Sequence, residues 1–405
     1  MSKQEQQEVQ QEGCRTSRPS PDARLVTGAE AVAEAMRQID PDVMAVYPIT
    51  PQTPIIEAFS QYVADGRVHT ELLLMESEHS ALSAVVGSAL AGARTVTATA
   101  SQGLAYMIEV LYIAAALRAP FVMAVGMRAL SGPINIHADH SDVMLARDSG
   151  AVILIAETAE EAYDLTVIAT RLAEDPAVML PVLVGQDGFI TTHAAEPVRL
   201  LDDALVRGFV GEYHVPYPLL DPGRPTTQGA FSMPDSYFPQ KAQEEAATRQ
   251  AGGRFLTLAG DYARVSGREL SAVETYRTED AEVVLVAMGS VVGTMKDAVD
   301  RLRARGLRVG VLKLRMFRPF PEDALRKEIS PGQLLLVFDR ALSPGSWPPL
   351  FLEVAARIRG NSCRSLVFGL GGRDLSVEAV MTVVEGREDL PANAASHLGI
   401  AGGAL

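Results

Sequence analysis

Apolar residues are distributed along this chain in two rhythms. Short unbroken runs rich in Val, Ile and Leu read as strands buried on both faces, and apolar residues recurring every three to four positions read as helices. In the first half, runs at 43–46, 69–75, 94–100, 119–125, 152–156 and 181–184 alternate with helical spacing at 28–38, 55–63, 81–93, 104–117 and 159–172. That alternation predicts a parallel sheet covered by helices on both faces. Thr27, with Glu30 three positions on, makes a capping-box-like start for the first helix, and Ser77 is a candidate N-cap for the helix at 81–93. That helix is built of Ala, Gly, Ser and Val and is apolar on every side, so it is expected to be buried against close-packed backbone.

From about 196 to 250 the pattern is lost in Pro, Gly, Tyr and polar residues. Such a length is unusual for a loop inside one compact unit, so it reads as a linker or an arm packing on a neighbour. Residues 251–276 read as a helical lead-in. A second run of the same grammar follows, with strands at 283–288, 307–314, 333–338 and 366–369 and helices at 291–305, 321–329 and 351–358. The predicted class is α/β with two parallel-sheet domains. The expected division is a disordered tail at 1–23, a first domain at 24–195, a linker or arm at 196–276 and a second domain at 277–395.

Composition narrows the function. The 405 residues carry a formal net charge of −14, which argues against a nucleic-acid surface. The two cysteines, Cys14 and Cys363, lie far apart and form no CxxC, so the chain cannot ligate an iron–sulfur cluster or a multi-cysteine zinc site by itself. The N-terminal stretch has no apolar signal core and no uncharged apolar run is long enough to span a bilayer. The expectation is a cytoplasmic protein.

Candidate chemistry gathers at the ends of the predicted strands, where α/β sheets bind ligands. The stretch Tyr47 to Pro54 holds three prolines in seven residues, which stiffen the loop around the hydroxyls of Thr50 and Thr53. It reads as a ligand-binding loop or as a rigid connector. Glu78 stands at the start of a helix just past a strand end. It is a candidate for proton exchange or for a hydrogen bond to a ring nitrogen; the plain alternative is helix-start stabilisation together with Glu76. Arg128 follows an apolar strand and suits a substrate carboxylate, or a structural pair with an acid such as Asp139. His137, Asp139, His140 and Asp142 match no standard metal spacing and read as a hydrogen-bonded loop. Ser101 and Ser131 lack the context of a nucleophile. Gly289-Ser290 and Gly369 to Asp374 are tight turns or weak anion contacts.

Several of these stretches resemble one family. Tyr47-Pro48-Ile49-Thr50-Pro51, Glu76-Ser77-Glu78-His79-Ser80-Ala81, Thr99-Ala100-Ser101-Gln102-Gly103, Arg128-Ala129, Asp139-His140-Ser141-Asp142 and Asp187-Gly188-Phe189 occur in the order and spacing of the α subunit of 2-oxoacid:ferredoxin oxidoreductases. The likeness is greatest to the pyruvate:ferredoxin (pyruvate synthase) branch and covers about residues 24–390. The resemblance implies a thiamine diphosphate pyrimidine-binding domain followed by a transketolase C-terminal-like domain. It implies an oxidoreductase that cleaves pyruvate or a related 2-oxoacid with coenzyme A to acyl-CoA and carbon dioxide, passing electrons to ferredoxin. Glu78 matches the glutamate that hydrogen-bonds N1′ of the aminopyrimidine. Thr50 matches a substrate-contacting threonine, and Arg128 the arginine that holds the substrate carboxylate.

The family's diphosphate and Mg²⁺ site carries a G-D-G…N run that this chain lacks. The resemblance therefore implies a β subunit bringing diphosphate, Mg²⁺ and a [4Fe–4S] cluster. It also implies γ and ferredoxin-like δ subunits, and an assembly that is a dimer of heteromers. Other readings are a branched-chain or aromatic 2-oxoacid specificity and a non-catalytic assembly subunit. Thr50 favours a small neutral substrate; an arginine there would suggest a second carboxylate.

Overall fold

The computed structural model describes residues 23–400, so the expected tail, all but its last residue, lies outside the described residues. The first half contains β1 (Arg24–Thr27), α1 (Gly28–Ile39), β2 (Val43–Val46), α2 (Thr53–Ala64), β3 (Glu71–Leu74), α3 (Glu78–Ala91), β4 (Thr95–Thr99), α4 (Ser101–Ala116), β5 (Phe121–Met127), α5 (Ser141–Leu145), β6 (Val152–Ile155), α6 (Ala159–Ala173), β7 (Pro181–Asp187), β8 (Ala195–Val198) and α7 (Asp203–Val210). Then come α8 (Pro234–Ser266), β9 (Val273–Tyr276), β10 (Val283–Ala287), α9 (Val291–Ala304), β11 (Val309–Leu314), β12 (Met316–Arg318), α10 (Glu322–Glu328), β13 (Leu334–Asp339), α11 (Pro349–Arg357), β14 (Cys363–Val367), α12 (Val377–Glu385) and β15 (Ser396–His397).

The first sheet has seven strands in the order β12-β6-β7-β5-β4-β2-β3, parallel except at β12. The second has six, in the order β15-β14-β13-β10-β11-β9, parallel except at β9. β1 and β8 form a separate ribbon. The predicted parallel sheets are present because the central strands are apolar on both faces: every residue of β4, β5, β6, β7, β10 and β11 is buried. Leu183 and Met107 of the first half share one continuous core with Val286, Leu312 and Val337 of the second. The two sheets and the helices that line them thus share one apolar core.

Local signals read correctly where they are short-range. Thr27 caps α1 in a full capping box with Glu30, and the Ser77 hydroxyl accepts from Ser80 N–H at the start of α3. The expectation of all-round burial fails for α3. Ala81, Leu82, Val85, Val86 and Ala89 are buried, but Ser83 and Gly87 are exposed and nothing among the described residues lies within 4 Å of where a Gly87 Cβ would stand. Small side chains permit close packing; they do not supply a neighbour.

The 196–250 stretch departs further from its reading as a linker. Its last part, from Pro234 on, belongs to α8, a helix of 33 residues that ends at Ser266, with Pro239 inside. The two prolines and the Gly252-Gly253 pair hide this helix from a propensity reading. Tertiary packing on α6 keeps it: Phe255, Leu258 and Tyr262 are buried there. The Asp164 carboxylate of α6 accepts from Tyr262 at 2.5 Å and from Arg268 at 2.7 Å. The stretch between α7 and α8 leaves Tyr217, Leu220 and Phe231 exposed, the last 90%. β12 is also unforeseen: it lies beyond residue 277 yet pairs with β6 in the first sheet.

Candidate active site at the carboxyl ends of the first sheet

Thr50, Glu78 and Arg128 all follow parallel strands of the first sheet at their carboxyl ends: β2, β3 and β5. The structure joins two of them directly. The Arg128 guanidinium donates from Nη1 to the backbone carbonyl of Thr50 at 2.9 Å and from Nε to that of Asn135 at 3.0 Å. Arg128 is buried, and burial pulls its pKa down from the ordinary value while the Asp142 charge opposes this. An arginine stays cationic through such a change. Its side chain has no carboxylate partner among the described residues, so the pair with Asp139 is not formed. Asp139 Oδ1 accepts from Ser141 N–H instead. Thr50 is exposed, and its hydroxyl has no hydrogen-bond partner among the described residues.

Asp142 ties this loop to the next strand end. Its fully buried carboxylate accepts from the backbone N–H groups of Ser101 (2.8 Å), Arg128 (3.0 Å) and Val143 (2.7 Å). Burial raises its pKa to about 7 against those three donors. Ser101 opens α4 with a left-handed φ of 47°, and its hydroxyl donates to Ala129 O at 2.5 Å. Ser101 therefore braces the site, in line with its weak case as a nucleophile.

Glu78 begins α3 on the same rim. It is half-buried, and its carboxylate has no hydrogen bond or ion pair among the described residues. Gly103 in the first turn of α4 lets it pack close: a Cβ there would stand 3.0 Å from Glu78 Oε1 and 2.5 Å from Thr99 Oγ1. The Thr99 hydroxyl is buried without a partner among the described residues. A half-buried carboxylate with no partner among the described residues fits the ring-nitrogen end of an aminopyrimidine. No group of three or more His, Cys, Asp or Glu that could hold a metal occurs among the described residues. The Glu78 carboxylate thus fits the pyrimidine end of thiamine diphosphate.

The loop at 137–142 is a hydrogen-bonded one, and its main partner was not legible in sequence. His140 Nε2 meets Asp187 Oδ1 at 2.7 Å. The other oxygen of Asp187 accepts from Ser290 N–H at 2.9 Å and from the Ser290 hydroxyl at 2.5 Å. The weak anion signal at Gly289-Ser290 thus has an intramolecular anion. Burial opposes ionisation of Asp187, but Arg340, His140 and Ser290 together hold it well below the usual carboxylate range. Likewise, the Gly369–Gly372 turn meets the 135–138 loop, with Gly372 N–H donating to Ala138 O at 2.9 Å.

A cleft of about 720 Å³ lies elsewhere, between α8 and the turn before α10. None of the candidate residues lines it, and its arginines are paired: Arg318 with Glu353, Arg357 with Glu322 and Arg249 with Glu245. It is therefore not the site described above.

A family model described as pyruvate flavodoxin/ferredoxin oxidoreductase, thiamine diP-binding, matches residues 34–257, and one described as pyruvate:ferredoxin oxidoreductase core domain II matches residues 281–380. Pyruvate synthase subunit PorA of Thermotoga maritima is 52% identical over 89% of this chain and 93% of its own length. Ketoisovalerate oxidoreductase subunit VorA of Pyrococcus horikoshii is 36% identical over 90% of this chain and 94% of its own. The fold is that of a solved 2-oxoglutarate:ferredoxin oxidoreductase from Magnetococcus marinus, at a TM-score of 0.67 and 21% identity. That likeness covers 90% of this chain and 65% of that one. By the match of its first domain and its identity to these relatives over most of its length, the chain belongs to the pyruvate flavodoxin/ferredoxin oxidoreductase family.

Proposed function

We propose that this chain is the α subunit of a multisubunit 2-oxoacid:ferredoxin oxidoreductase that works in the cytoplasm and takes pyruvate. The observation that carries the reading is the free Glu78 carboxylate on the same strand-end rim as the Thr50–Arg128 pair. Thiamine diphosphate, when bound, supplies the carbon nucleophile and the electron sink for cleaving the bond to the substrate carboxyl. Glu78 holds its pyrimidine end by a hydrogen bond at N1′. Arg128 presents the guanidinium edge not used by Thr50 O and Asn135 O to the substrate carboxylate, a charge-assisted pairing that also orients the keto group. The free Thr50 hydroxyl donates toward the keto oxygen.

A partner β subunit completes the site with the diphosphate, Mg²⁺ and a [4Fe–4S] cluster. The γ and δ subunits relay electrons to ferredoxin, and coenzyme A accepts the acyl group. The heteromer pairs as a dimer. Support comes from the likeness to pyruvate synthase PorA subunits. The likeness to the ketoisovalerate subunit keeps a branched-chain 2-oxoacid as the second reading.

The test is co-expression with the partner subunits, then 2-oxoacid-dependent viologen reduction over a panel of substrates. Pyruvate-dependent, coenzyme A-dependent reduction is expected. A complete complex that reduces viologen with no 2-oxoacid refutes the reading, and a preference for 2-oxoisovalerate selects the second.

A further inference from the structure

Resting on the role given to Arg128 above, we infer that Asn135 is a positioning residue: it holds the carbonyl that aims the Arg128 guanidinium, and it takes its bearing from Gly371 of the second sheet's domain. The guanidinium points where its two carbonyl acceptors allow. One, Thr50 O, lies in the proline-stiffened loop. The other, Asn135 O, lies in a segment with no helix or strand between Arg128 and His140, flanked by Ile134, which is 78% exposed. Such a segment needs outside support to hold a fixed shape.

The support comes from Asn135's own amide. Its Oδ1 accepts from His137 N–H at 2.7 Å, and its Nδ2 donates to Gly371 O at 3.2 Å, a contact between residues 236 positions apart. The receiving turn is shaped for it. Gly371 has a φ of +62°, and a Cβ there would stand 2.5 Å from Asn135 Nδ2. Further along the loop, His140 N–H donates to Arg340 O at 2.8 Å. The second domain therefore sets the substrate arginine without touching substrate, by fixing the loop that carries the acceptor for Nε. The 2-oxoacid carboxylate is bound in the ground state as well as in the transition state. Misaiming Arg128 should then appear in KM, and a displacement of about 1 Å costs on the order of 10²-fold.

The experiment is a kinetic double-mutant cycle in the assembled enzyme, with Asn135→Ala, Arg128→Ala and the double variant. Alanine at 135 keeps the backbone carbonyl and removes only the amide. Asn135→Ala is expected to raise KM for the 2-oxoacid about tenfold or more, leaving kcat and thiamine diphosphate affinity within about twofold. In the Arg128→Ala background the same change should add less than about twofold, because the two residues act as one unit. Asn135→Ser keeps a local acceptor for His137 N–H but cannot reach Gly371, and is expected to show the same rise in KM if the alanine variant fails to assemble. Additive effects of Asn135 and Arg128, or a fall in kcat at constant KM, overturn the inference. If Arg128→Ala raises KM and neither Asn135 variant does, Asn135 alone loses its role. If Arg128→Ala leaves KM unchanged, the role of Arg128 fails first and the inference falls with it.

Discussion

Arg128 donates to the backbone carbonyl of Thr50 across 2.9 Å, so a buried cation and the proline loop are set by one bond. The bond uses one edge of a planar fork and leaves another for a carboxylate. A lysine has its three donors on one nitrogen and cannot reach Thr50 O and Asn135 O from the separate positions of Nη1 and Nε while facing a carboxylate. Arg128→Lys is therefore expected to raise KM for the 2-oxoacid by about 10–100-fold, with thiamine diphosphate affinity unchanged. Steady-state kinetics of the assembled complex check this, and an unchanged KM refutes it.

Glu78→Gln keeps the shape of the side chain and removes its charge. Loss of a proton-handling contact of this type costs about 10²–10⁴-fold in rate. The expected outcome is a fall in kcat of that size at a nearly constant KM for the 2-oxoacid. Full turnover in the variant would return Glu78 to a helix-start role.

Because the metal-bound half is assigned to another subunit, the chain by itself should bind thiamine diphosphate only very weakly. Calorimetric titration of the isolated chain and of the assembled complex, with Mg²⁺ in both, compares the two. Tight binding by the chain alone would contradict the division of the site.

Asp187 joins the two domains through Ser290 and also bonds His140 of its own domain. Removing a buried carboxylate leaves the donors it accepts from unsatisfied, at a cost of about 1–3 kcal/mol. Asp187→Ala should destabilise the chain by that amount in denaturant unfolding. A loss well below 1 kcal/mol would show that the seam is held by its apolar core alone.

Glu274 lies between Lys313, Arg315 and Lys296. Burial opposes its charge, but these cations hold its pKa down to about 2 from an ordinary 4.5. Over that interval the folded chain binds fewer protons than the unfolded one. The stabilisation is complete above about pH 4.5 and is lost as pH falls toward 2. Glu274→Gln should accordingly lower the thermal midpoint at pH 6 and converge with the parent chain near pH 2. Equal differences at both pH values would exclude this charge effect.

In the free chain, limited proteolysis should cut first between α7 and α8, where the backbone is irregular and Tyr217, Leu220 and Phe231 stand exposed. Protection of the same stretch in the complex would mark it as the arm that packs on a neighbour, and equal cleavage would count against that.

The parallel sheets and the three candidate residues were legible in sequence because they rest on local signals: unbroken apolar runs, caps, and a stiff loop at a strand end. The amino-acid order also sufficed to indicate a chain without the means to hold an iron–sulfur cluster by cysteines. What it could not reveal depends on neighbours distant in the chain. α8 is a helix despite its prolines because α6 packs against it, and α3 keeps an open face because nothing among the described residues covers it. Asp187 finds Ser290 103 positions away, and Asn135 finds Gly371 236 positions away. Such contacts leave no periodicity to read, since a hydrogen bond across a domain seam is set by how two sheets come together. Thr50, Glu78 and Arg128 were separate candidates along the chain; tertiary structure joined Thr50 to Arg128 and gave Glu78 no partner among the described residues.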